Sequence, residues 1–100
     1  MTDKIYTLDE IKEKLYKIFV NHNVNKAAVF GSYGKNCAVA ESDVDIYVES
    51  GLHGLAFIDL VEDIREALDK DVDVIDARHL DSGTPIESEI HKYGIIIYEK

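Results

Sequence analysis

Leu8, Ile11, Leu15, Ile18 and Phe19 recur at helical spacing, so the chain opens on an amphipathic helix from Leu8 to Asn21 with one buried face. Thr7 with Glu10 forms a capping box at its start, and Tyr6 with Ile11 a hydrophobic staple across the same boundary. Asn21-His22-Asn23 ends the helix, and the apolar run from Val24 to Phe30 predicts a first strand. Gly31 then opens a tight turn with a short irregular segment, which leads into a second strand through Ile46, Tyr47 and Val48. Beyond the loop Glu49-Ser50-Gly51 and His53-Gly54, the stripe Phe57, Ile58, Val61, Ile64 and Leu68 predicts a helix from Leu55 to Lys70. The segment from Asp71 to Asp76 alternates as a third strand, with Val72 and Val74 on one face and Asp73 on the other. Thr84, Pro85 and Glu87 supply a cap, a first-turn proline and a second capping box for a helix that stops near Tyr93, and Ile95 to Tyr98 closes as a strand.

The chemistry gathers between the first two strands. Asp43 and Asp45 stand two apart in extended chain, so their side chains project together. Ahead of them, Gly31 and Ser32 make a turn where backbone can approach a phosphate with no Cβ in the way and a hydroxyl can donate to it. Carboxylates opposite such a turn suit Mg2+ held against nucleotide phosphates, because magnesium prefers a few carboxylates, waters and phosphate oxygens to a complete protein cage. If the second and third strands are neighbours, about 4.8 Å apart, Asp73 joins Asp43 and Asp45. Three acids on one metal cluster fit phosphoryl or nucleotidyl transfer, where catalysis is mostly positioning and charge neutralisation. Asp76 points to the opposite strand face and is expected to be a strand-end residue. Neither a Walker-type nor a Gly-x-Gly-x-x-Gly phosphate loop is present.

Composition narrows the setting. One hundred residues predict a single domain over 1–100, and 46% apolar with 31% charged residues predicts a folded globule rather than disorder. Twenty acidic residues against 11 basic ones, net −9, make a nucleic-acid partner unlikely on electrostatic grounds. A lone cysteine, Cys37, allows no intrachain disulfide and is expected to pack, while His22, His53, His79 and His91 are expected to be exposed or locally hydrogen-bonded. Tyr33 and Tyr47 flank the motif and are expected to pack, with contact to a base as the alternative. The apolar runs are too short to span a membrane, and the amino terminus, Met1-Thr2-Asp3-Lys4, has no leader pattern, so the expected location is cytoplasmic.

Gly31-Ser32, Lys35 three positions later, Ser42-Asp43-Val44-Asp45 and the later Val72-Asp73-Val74 together resemble the minimal nucleotidyltransferases of the DNA polymerase β superfamily. The resemblance implies an α+β nucleotidyltransferase fold, an α/β sandwich with a mixed sheet flanked by helices. It further implies Asp43, Asp45 and Asp73 as metal-binding and catalytic acids, with Gly31, Ser32, Lys35 and Ser42 binding the triphosphate of ATP. Where the family commonly has Arg-Gly, this chain has Lys35-Asn36, which keeps the charge, loses the guanidinium fork and leaves a residue suited to positive φ. Family members of this size are chiefly antitoxins paired with a HEPN-domain ribonuclease toxin, which implies Mg2+-dependent transfer of AMP to a toxin tyrosine. Two alternatives stay open: a non-catalytic antitoxin that neutralises its partner by stoichiometric binding, and nucleotidyl transfer to a small molecule, with a partner chain or homodimer completing the site.

Overall fold

The computed structural model describes residues 4–100; residues 1–3, part of the stretch inspected for a leader, lie outside the described residues. Helix α1 (Leu8–Asn21) is followed by β1 (Lys26–Phe30), a single helical turn α2 (Gly31–Gly34) and β2 (Val44–Glu49). Helix α3 (Leu55–Leu68), β3 (Val72–Asp76), α4 (Pro85–Tyr93) and β4 (Ile95–Glu99) complete the chain. The sheet order is β3-β2-β1-β4, with β1 antiparallel to β2 and β4, and β2 parallel to β3. A parallel pair needs a long crossover, and α3 supplies it. The expected mixed sheet flanked by helices is therefore observed.

The alternation in β2 decides which face does what. Val44, Ile46 and Val48 are fully buried and join Val29 and Val72 against Ile11, Leu15 and Phe19 of α1 and Leu60, Ile64 and Leu68 of α3. Residues between them, Asp45 and Tyr47, must then face the other side of the sheet. Burial of the apolar face thus sets the direction of the carboxylate. Helix α4 packs beside β1 and α2 and roofs part of that second face.

Local signals for the ends of α1 are realised. Thr7 and Glu10 close the capping box reciprocally, at 3.1 and 3.0 Å. Tyr6 and Ile11 are both buried, and the Tyr6 hydroxyl also donates to the Leu68 carbonyl at 2.6 Å, tying α1 to the end of α3. Asn23, at φ 57, turns the chain into β1, which starts at Lys26, two residues later than the apolar run indicated.

Several expectations need correction. The Thr84 cap accepts from Glu87 N–H at 3.2 Å, but the Glu87 carboxylate reaches past it to Gly83 N–H at 2.9 Å, so the second capping box is only half formed. Cys37 is exposed, because the segment after α2 runs over the surface. His22 is not confined to local partners: its Nε2 lies 2.7 Å from an Asp63 oxygen on α3. Tyr33 packs as expected, 3% exposed and part of the core, so it is not available to stack on a base. The 3-10 turn Ala77–His79 was not foreseen; Asp76 starts it by accepting from Ala77 N–H at 3.0 Å and holds Ser50 N–H at 3.1 Å. Arg78 Nε is 3.2 Å from the other Asp76 oxygen, an ion-pair contact without hydrogen-bond alignment.

Replacing Thr7 by Ala removes one cap and is expected to cost about 1 kcal/mol, whereas Ile64→Ala empties a fully buried site and is expected to cost about 2–5 kcal/mol. Urea denaturation midpoints of the two variants measure both.

Candidate active site

The parallel register of β2 and β3 sets Asp45 directly beside Asp73. Side chains of paired residues in neighbouring strands share a face, so the two carboxylates lie side by side on the face away from the core. Asp43 precedes β2 by one residue, is exposed, and acts electrostatically on Asp45. A fourth acid joins them. Glu89 of α4 lines the same cleft as Asp45, Asp73 and Phe30. Sequence reasoning missed Glu89, although it falls on the stripe Ile86, Glu89, Ile90 and Tyr93, where a carboxylate among apolar neighbours is a legible signal.

On the opposite rim of the acids, Gly31 has φ +68, a conformation that favours glycine, and an ideal Cβ there would lie 2.1 Å from an Asp45 oxygen. Only a glycine lets the turn come this close to the carboxylate. Gly34 is equally constrained, since a Cβ would lie 2.8 Å from the Tyr93 carbonyl, where α2 abuts the end of α4. Asn36 takes positive φ, at 58°, as its residue type allows, and Cys37 N–H returns to the Ser32 carbonyl at 2.9 Å. Asn36 thus holds the left-handed position that this turn requires.

The loop that delivers Asp43 is held from below. Lys70, only 6% exposed, donates to the Ala40 carbonyl at 2.9 Å and to the Lys4 carbonyl at 3.0 Å. Ser42 Oγ accepts from Val39 N–H at 2.9 Å. Lys35 Nζ pairs with Glu89 at 2.8 Å and sits 4.9 Å over the Tyr93 ring, so it guards the same rim that Glu89 lines. Its carboxylate partner raises the Lys35 pKa above the ordinary value. Tyr47, next on the Asp45 face, donates to Glu49 at 3.0 Å.

Burial first, then the charges of Asp73, Asp43 and Glu89 and a hydrogen bond with Asp73, push the Asp45 carboxyl up from 3.8 to about 6. Like charges forced together on one face hold a proton until something positive replaces it. Among the described residues, no three acidic, histidine or cysteine side chains are grouped so that they could hold a metal ion. Asp45 and Asp73 line one cleft, and Asp43 acts on Asp45 through its charge.

The sequence family described as "Polymerase beta, Nucleotidyltransferase" matches residues 13–100. The chain belongs to this nucleotidyltransferase family. The nucleotidyltransferase is 42% identical over 71 residues, 68% of its length and 75% of the relative's, to a Methanocaldococcus jannaschii protein whose name provisionally assigns it as a protein adenylyltransferase. Among solved structures, it resembles a toxin–antitoxin complex with AMP-PNP at 26% identity and TM-score 0.71, over 89% of this chain and 73% of that one. It also shares the fold of a chain in the complex of tri-AMPylated Shewanella oneidensis HEPN toxin with MNT antitoxin, at 23% identity and TM-score 0.67, over 93% and 73% of the two chains.

Two outcomes test this geometry in the nucleotidyltransferase. Gly31→Ala drives a methyl into the Asp45 carboxylate and is expected to cost more than about 1 kcal/mol, read as a fall in denaturation midpoint. The pH dependence has a definite sign. Folded Asp45 binds its proton more tightly than the unfolded chain does, so its contribution to stability is complete below 3.8 and is lost as pH rises through about 6. Without divalent cations, thermal midpoints across that window are expected to fall for the natural chain and to fall less for Asp45→Asn.

Proposed function

We propose that this nucleotidyltransferase is the antitoxin of a toxin–antitoxin pair and transfers AMP from ATP to a tyrosine hydroxyl of a HEPN-type partner, with Mg2+ at the acids. The observation that carries this is Asp45, in register with Asp73, set against the Cβ-free approach at Gly31. The names of its relatives agree with it: a protein adenylyltransferase, an AMP-PNP complex and an AMPylated toxin.

Asp43, Asp45 and Asp73 have the donor chemistry that a hard divalent ion takes. Asp45, whose carboxyl is pushed up to about 6 by burial and then by neighbouring acids, gains most from a cation beside it. Asp43 and Asp45 would hold the ion and Asp73 would complete the set from the next strand. Once bound, Mg2+ supplies Lewis-acid stabilisation of charge on the phosphate oxygens.

The chain's own groups do the rest. Gly31 and Ser32 bring the turn against the triphosphate, and Ser42, already accepting from Val39 N–H, keeps its own O–H to donate. Lys35 exchanges Glu89 for a phosphate oxygen. Exposed Asp73 takes the proton of the incoming hydroxyl as it attacks the α-phosphorus; the new O–P bond forms, the bond to pyrophosphate breaks, and pyrophosphate leaves.

The test copurifies the natural partner and incubates it with Mg2+ and labelled ATP. The double variant Asp43→Asn with Asp45→Asn is expected to lower label transfer by more than about a hundredfold. Transfer at the natural rate overturns the catalytic roles. Equal protection of the partner by both forms, without label on it, assigns neutralisation to binding alone.

A further inference from the structure

Strand β3 is an outer strand of the sheet, and its outward edge floors an open groove of about 670 Å3 that wraps from one sheet face to the other. On the α3 side Phe57, Ile58 and Val61 with Val74 give the groove an apolar wall, and Glu62 and Arg65 line it too. On the α4 side lie Asp73, Asp45 and Glu89, with Ile86 at the rim. Ile58 is 51% exposed and Ile86 44% exposed, so both flank the one cleft with apolar surface open to a partner. A second depression of about 300 Å3 continues along the same edge past Val74 and Ile75 to Leu80 and Thr84.

The backbone of β3 is arranged to pair on this side. The Asp71 carbonyl accepts from Val44 N–H of β2 at 3.1 Å, so along a parallel ladder Asp73 and Ile75 also turn their backbone groups to β2. Val72 and Val74 turn theirs outward. The Val72 carbonyl is taken by Arg65 Nε at 3.1 Å, which leaves the Val74 N–H and carbonyl facing the middle of the groove.

We propose that this edge receives an extended segment of the acceptor protein, added as an outer strand beside β3, with apolar residues flanking the acceptor tyrosine and basic residues two positions away on either side. The proposal rests on the acceptor-modification reading above and adds how the acceptor is held. An added strand presents alternate side chains to opposite faces. With the tyrosine turned to Asp73, its immediate neighbours fall on Ile58 and Val61. The residues beyond them return to the side of Glu89 and Asp73, where acids in a chain of net charge −9 complement lysine or arginine.

Reach explains the choice of hydroxyl. The added strand lies about 4.8 Å outside β3, and Asp45 stands one strand further in. A tyrosine ring spans Asp73 to bring its oxygen to the acids, whereas a serine hydroxyl stays at the edge.

The probe is a synthetic peptide with a central tyrosine, a valine on each side and a lysine beyond each valine. Its binding is read by fluorescence anisotropy without ATP, and its labelling with Mg2+ and labelled ATP. Ile58→Lys, a change at an exposed position, is expected to weaken peptide binding roughly tenfold or more and to raise the acceptor KM alike, with the KM for ATP unchanged. N-methylation of the peptide backbone beside the tyrosine is expected to weaken it as much, because it removes the donors that pair with β3. Unchanged affinity in Ile58→Lys, or equal binding of a scrambled peptide, overturns the groove while leaving adenylyl transfer standing. Peptide bound as expected but never labelled leaves the groove standing and overturns the transfer. Self-association of the natural chain that Ile58→Lys abolishes in sedimentation assigns the groove to a second copy and overturns the acceptor proposal.

Discussion

Everything in the site follows from one pairing: β3 lies parallel to β2 in the register that sets Asp73 beside Asp45. A slip by one residue would turn the alternate side chains of β3 over, sending Asp73 into the core and Val72 and Val74 to the acid face. The burial of Val44, Ile46, Val48 and Val72 forbids that slip. The apolar face of the sheet is thus what aims the carboxylates, although Val44, Ile46, Val48 and Val72 themselves do not line the cleft.

That aim brings like charges together, which a stability-driven sequence would avoid. Desolvation and three neighbouring acids hold the Asp45 proton up to about 6, and Gly31 brings the turn close against the same carboxylate. The crowded charge costs stability, and both features make sense if a cation and a polyphosphate arrive to occupy the mouth. The rest of the fold offsets the local cost through buried leucine, isoleucine and valine between α1, α3 and the sheet.

Buried polar anchors do a different job. Lys70 reaches under the motif loop to the Ala40 carbonyl, and Asp76 clasps Ser50 and Ala77 at the far end of β3. Each fixes a connection whose own sequence is too irregular to hold a single shape. Lys35 and Glu89 do the same at the roof, linking the turn after β1 to α4 across the cleft. The mouth of the site is therefore framed by groups drawn from four separate segments.

Most of the elements were readable because local chemistry specifies them. Helical spacing of Ile11, Leu15 and Phe19, the Thr7–Glu10 box, and the alternation around Asp73 each depend on residues a few positions apart. Gly31, Ser32, Asp43, Asp45 and Asp73 were legible as a motif for the same reason: the spacing alone marks turn and strand. What lay beyond reach was set by contacts between distant segments. Exposure of Cys37, the His22–Asp63 pair, the approach of Glu89 and the open edge of β3 depend on which elements pack together, and burial and strand order exist only once the sheet is assembled. By itself the sequence determined the elements and the acids they bear; the tertiary structure decided which acids meet and which edge stays open, because only packing brings residues far apart in the chain within reach of one another.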